Sequence, residues 1–136
     1  MADVHFQDNS VKVLRAIDRA VIAFLEEAAG ELESQTKRNT RVDTGQTKNS
    51  WAHMVYESKA EAIVGSPLEN AIWEEFGTGE YAIDGNGRKG GWFYVDAKGN
   101  GHFTRGKKPS RAFHNAKTDC EPKIIKAAQD KFRGLD

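Results

Sequence analysis

The chain has 136 residues, room for one ordinary domain, and its 38% apolar and 29% charged residues give a globular balance. A single cysteine, Cys120, excludes a disulfide framework and a paired-cysteine metal knuckle. No apolar run approaches the roughly 20 residues of a membrane span, and 20 basic side chains meet 20 acidic ones; a membrane protein and a globally basic nucleic-acid binder are both disfavoured, and a soluble chain of a reducing compartment is expected.

Residues 1–9 have no clear period and read as a loose arm. From Ser10, apolar residues recur at steps of three or four (Val11, Leu14, Ile17, Val21, Leu25, Ala28, Leu32), which predicts a long helix ending near Asn39. Asp8, Asn9 and Ser10 each offer an oxygen for its first turn. Ile22 and Phe24 widen the apolar stripe, so the helix should pack on something broader than one helix. Asp43-Thr44-Gly45 breaks the pattern, with Thr44 as the expected cap of a short turn through Lys48.

Ser50 to Glu57 and Glu61 to Ser66 read as two strands of a hairpin, with Trp51, His53 and Val55 on one face of the first. Pro67 opens a second helix, Leu68 to Phe76, stopped by Gly77. Residues 77–91 hold six glycines in fifteen positions, a density that argues against regular structure and predicts a mobile loop. Trp92 to Asp96 and His102 to Arg105 flank a Lys98-Gly99-Asn100-Gly101 turn. Ser110 is the expected cap of a last helix, which Pro122 should break or kink. The class is α+β: a small antiparallel sheet flanked by a long N-terminal helix and a C-terminal helix, in one domain over 1–136.

No reaction centre emerges. None of the four histidines stands four residues from another, and no nucleophile motif is present. Cys120 lies on an apolar helical stripe and reads as a small buried hydrophobe. Glu74 and Glu75 diverge by about 100° on a helix and do not form a cooperating pair, though burial of one of them by Trp73 and Phe76 stays open. Charge is uneven along the chain. Residues 1–80 hold fourteen acidic and eight basic side chains, a formal −6, and residues 81–136 hold six and twelve, a formal +6. Either the halves neutralise each other within one fold, or they face apart and guide contact between copies. Arg105, Lys107, Lys108 and Arg111 form a basic run between Phe103 and Phe113 that suits phosphate contact, although such runs are commonly solvated faces. Trp51, Trp73 and Trp92 stand among further aromatics near the glycine-rich loop, a composition of interface cores as well as of small domain cores.

Three motifs carry a family resemblance. Val42-Asp43-Thr44-Gly45 with Ser50 is the first, and Glu75-Phe76-Gly77-Thr78-Gly79 the second. The third runs from Gly87-Arg88-Lys89-Gly90-Gly91-Trp92 through Tyr94 and Asp96 to Phe103-Thr104-Arg105-Gly106 and Pro109-Ser110-Arg111-Ala112-Phe113. In this order and spacing, over about residues 42 to 116, they resemble the tail-component or tail-completion proteins of long-tailed bacteriophages, a gene-product-ten-like family encoded between head and tail-tube genes. Asn70-Ala71, where many members have a tyrosine before the alanine, and Ala112-Phe113-His114-Asn115-Ala116, in place of a proline-phenylalanine-leucine run, depart from the pattern.

The resemblance implies a virion structural protein of the neck that joins head to tail or completes the tail. It implies a homo-oligomer, a hexameric ring, docking to other phage neck and tail proteins, assembled in the bacterial cytoplasm. Catalytic residues, cofactors and metals are not expected. The residues expected at subunit contacts are Thr44, Gly45, Trp73, Glu75, Phe76, Gly77, Thr78, Gly79, Trp92, Tyr94, Arg105 and Phe113. The alternative is a nucleic-acid-binding module that meets packaged DNA through Arg105, Lys107, Lys108 and Arg111.

Overall fold

The computed structural model describes residues 4–42 and 45–135. After residues 4–9, which have no regular structure, α1 runs from Ser10 to Asn39, the span its periodicity predicts. Of the three candidate caps, Asp8 provides the contact, its Oδ1 accepting the Ser10 N–H at 2.9 Å. A short α2 (Gln46–Ser50) starts from Gly45; Thr44, its expected cap, lies with Asp43 outside the described residues.

The two hairpins form as the turn chemistry indicates. Strands β1 (Ala52–Tyr56) and β2 (Glu61–Gly65) pair antiparallel with Met54 opposite Ile63. His53 and Val55 are half-buried toward α1 while Ala52, Met54 and Tyr56 are exposed, the alternation expected of a sheet with one covered face. Strands β3 (Trp92–Val95) and β4 (Gly101–Thr104) pair with Phe93 opposite Phe103. Asp96 closes their turn by accepting the N–H groups of Lys98 and Asn100 at 2.9 Å each. The four strands remain two separate two-stranded sheets, and only β1–β2 packs closely on α1.

Between the hairpins, α3 (Glu69–Phe76) ends at Gly77, as expected. Glycine density does not exclude regular structure beyond it, because Gly79–Tyr81 forms a 3-10 turn. The last helix, α4 (Ala112–Arg133), narrows one expectation and corrects another. Pro122 does not break it: the proline is exposed inside a continuous helix whose opposite face packs along α1. Ser110 does not cap it either. The cap position is Arg111, at φ +56, and Ser110 instead donates its N–H to the Glu74 carbonyl at 2.7 Å.

The core is a seam of small residues between α1 and α4. Ala29 and Thr36 on α1, and Ala112, Ala116, Cys120 and Ala127 on α4, are its buried members, and such side chains let two helix backbones approach closely. The Thr36 hydroxyl is satisfied by the Leu32 carbonyl at 2.7 Å. Burial raises the pKa of the Cys120 thiol, and the nearby Glu31 carboxylate adds to it, so this cysteine is the inert hydrophobe its position suggests. At the α2–β1 junction Trp51 stacks on Phe113, with ring centroids 5.5 Å apart.

Large apolar side chains are mostly outside. Val11, Leu14, Ile17, Ile72, Trp73, Phe76, Phe93 and Val95 are all exposed. Lys131 pairs with Glu27 and Phe132 meets Phe24, so α4 ends beside the middle of α1, whose first turns run on without it. The accessible surface is 10035 Å². A compact monomer of 15.1 kDa would expose about 7,100 Å².

Candidate functional site

The second and third sequence motifs meet in space. Gly77-Thr78-Gly79-Glu80, leaving α3, lies against Arg105-Gly106-Lys107, arriving at α4. The Thr78 N–H donates to the Lys107 carbonyl at 2.9 Å and the Glu80 N–H to the Arg105 carbonyl at 2.9 Å. In return the Lys107 N–H donates to Thr78 Oγ1 at 2.8 Å. The glycines permit this approach. Gly79 sits at φ +60, and a Cβ there would collide with the Arg105 carbonyl and the Gly106 backbone; at Gly77, φ +75, it would lie 2.8 Å from the Tyr81 carbonyl oxygen.

Glu74 and Glu75 leave α3 in different directions, as their spacing requires, and both are buried. Glu74 turns to cations. Arg41 donates Nε and Nη2 to its Oε2 at 3.2 and 2.9 Å and also holds the Lys108 carbonyl at 2.9 Å, while Lys107 pairs with Oε1. Burial pushes the Glu74 carboxyl up, but the hydrogen bonds and charges of Lys107 and Arg41 outweigh it and hold the group below its ordinary value.

Glu75 turns to the start of α4. Its Oε2 accepts the Phe113 N–H at 2.9 Å and its Oε1 the His114 N–H at 3.0 Å, with the Arg111 guanidinium 3.7 Å away. A carboxylate on another element thus does the work of the missing local cap and meets the positive end of the helix dipole. Trp73 and Phe76 beside them stand 48% and 45% exposed, with Arg111 over the Phe76 ring at 5.5 Å.

The first motif joins from the side. Ser50 Oγ lies 2.6 Å from Ser66 Oγ, and Asn70 Nδ2 donates to Thr47 Oγ1 at 2.7 Å, tying α2 to the β2–α3 connection. Of the remaining expected contact residues, Gly45 is half-buried, Trp92 is half-buried under Arg88, Tyr94 is exposed and stacks on His102, and Phe113 is half-buried against Trp51. Arg105 is exposed and pairs with Glu80 at 3.3 Å. Arg41, which ties the end of α1 to Glu74 and to the Lys108 carbonyl, was not singled out from the sequence.

The basic run is engaged within the chain. Arg105, Lys107 and Arg111 pair with Glu80, Glu74 and Glu75, and Lys108 lies over the Tyr81 ring at 5.7 Å. With Glu31–Lys123 and Glu27–Lys131, five ion pairs among the described residues cross from the acidic half to the basic half. Mutual neutralisation inside one fold therefore accounts for much of the charge asymmetry. Elsewhere, His53 stands between two α1 carboxylates, Nδ1 3.3 Å from Glu33 and Nε2 3.3 Å from Glu26, and no cluster of metal-ligating side chains occurs among the described residues.

A family model described as "Bacteriophage HK97-gp10, putative tail-component" matches residues 5–77, from the arm to the glycine that ends α3. No curated protein and no solved structure matches the chain. The matched span takes in α1, α2, the first hairpin and α3, and stops as the second motif turns toward the third. The chain belongs to this HK97-gp10-like family of bacteriophage tail components, structural proteins of the virion that work in contact with other tail proteins.

Proposed function

We propose that this protein is a non-catalytic neck component that joins head to tail, or completes the tail, by forming a homo-oligomeric ring of six copies and docking neighbouring rings. The observation that carries the reading is the excess of surface: 10035 Å² on a chain whose compact form would expose about 7,100 Å², with Trp73, Phe76, Tyr94 and Phe93 all exposed. A ring with two contacts per copy buries about 1,600 Å² of each subunit at standard interface size, which fits within that excess. The fold over 1–136 acts as one domain, with the loop 77–91 free to adjust when a neighbouring ring meets it.

Contact with packaged DNA is the weaker reading. Each cation of the 105–111 run has a carboxylate or ring partner of its own, with which a phosphate would have to compete. Phe76→Ala tests the neck role. Its side chain is nearly half exposed, so the fold should persist while infectious particles fall and unjoined heads and tails accumulate. Normal joining with that variant would remove Phe76 from the docking surface.

A further inference from the structure

A groove of about 440 Å³ opens between β2, α3 and the first turns of α4. Trp51, Val64, Ile72, Phe76 and Phe113 supply most of its apolar lining, and the Glu75–Arg111 pair, His114 and Lys117 its polar lining. Ile72 is 59% exposed, and Lys117 has no carboxylate partner among the described residues. At the other end of α1 the arm carries two large apolar side chains that nothing among the described residues covers. Residues 4–9 have no regular structure, Phe6 is 97% exposed and Val4 77%. Residues 1–11 contain Asp3 and Asp8 and no lysine or arginine.

We infer that the N-terminal arm of one copy docks in this groove of a second copy, with Phe6 among the apolar walls and the acidic arm beside Lys117. The chain's own arm cannot reach. The groove lies at the C-terminal end of α1, where Asn39 Nδ2 donates to the Ala112 carbonyl at 3.2 Å. Thirty helical residues separate that end from Ser10 by about 44 Å, whereas Phe6 extends at most about 14 Å beyond Ser10.

Backbone geometry supports the same pairing. The groove is bordered by Val64 and Ser66, and among the described residues β2 pairs with β1 alone, so an extended arm can add along its other edge while Phe6 fills the pocket. Arm and groove are different surfaces of the same chain, and contacts of that kind propagate head to tail and close into rings. The docking presupposes the self-assembly proposed above and names the surfaces that carry it.

Mixed cross-linking tests it. Tagged chains carrying Phe6→Cys are combined with untagged chains carrying Ile72→Cys and oxidised with diamide, both as concentrated protein and in purified particles; native Cys120 is buried and does not interfere. Both replaced side chains are exposed, so folding is preserved. A mixed disulfide dimer is expected, together with about tenfold weaker self-association for Phe6→Ala and for Lys117→Glu. Oligomers or particle-borne chains that give no mixed dimer overturn the arm contact and leave self-assembly standing. Cross-linking of Ile72→Cys to a different virion protein also overturns it, by assigning the groove another occupant. A chain found only as single copies in solution and in particles overturns the self-assembly itself.

Discussion

The knot around α3 and the hairpin β3–β4 are opposites in how they place charge and apolar surface. In the knot, two carboxylates are buried and each is matched by cations or backbone N–H groups, while Trp73 and Phe76 beside them face solvent. In the hairpin, Phe93 and Phe103 meet edge to face at 5.1 Å yet stay 80% and 51% exposed, and no helix among the described residues packs closely on the hairpin. One region spends its polar groups on holding three segments together. The other displays apolar surface that an isolated two-stranded ribbon does not need for itself and cannot bury alone. On the proposed reading the exposed aromatics are surfaces left for partners, whereas the motif glycines and glutamates serve internal construction.

If that division holds, the glycines of the knot are the most sensitive positions. Gly79→Ala puts a Cβ into the Arg105 carbonyl at a backbone angle that side chains avoid, and both colliding groups are backbone. A loss of about 3 kcal/mol is expected, a fall in melting temperature of roughly 10 °C by calorimetry. An unchanged melting temperature would mean that the loop is not packed against residues 105–107.

Glu75→Ala comes next. It leaves the Phe113 and His114 N–H groups and the Arg111 guanidinium without their carboxylate, and a loss of about 2 kcal/mol in chemical denaturation is expected. Hydrogen exchange should quicken first in the opening turn of α4. Glu75→Gln, which keeps one acceptor, should lose less.

The third effect depends on pH. Because Glu74 has a folded pKa below its ordinary value of 4.5, it contributes stability that is complete above 4.5 and disappears as pH falls through the lowered folded value. Acid unfolding of Glu74→Gln should accordingly show a shallower slope below pH 4.5 than the parent chain. Equal slopes would detach Glu74 from Lys107 and Arg41.

What the sequence made legible follows the range of the forces involved. The span of α1, both hairpins and the stop at Gly77 are set by neighbours within a few residues, through apolar period, turn residues and a glycine at positive φ. Ser110 obeyed the same local rule and was misread, because a carboxylate 38 residues before Phe113 supplies the cap instead. Arg41 was invisible for a related reason: its partner lies 33 residues away, and no spacing rule joins a helix-end arginine to the middle of another helix. Pro122 was judged by the hydrogen bond it removes, whereas the seam along α1 holds the helix on both sides of it.

The smallest effect on folding is expected where the effect on assembly should be large. Phe93→Ser changes a side chain that is 80% exposed and touches chiefly Phe103, so stability should move by less than about 0.5 kcal/mol. Against a partner, the same ring would be buried with Phe103 and Val95 as a continuous apolar patch, and its removal should reduce the yield of joined particles about tenfold. The two measurements pull apart only if the hairpin is a contact surface. A hairpin serving the chain's own fold would lose stability and particle yield together, and one serving neither would lose nothing. Stability retained with yield lost is the single pattern that keeps the knot as the internal region and the hairpin as the outward one.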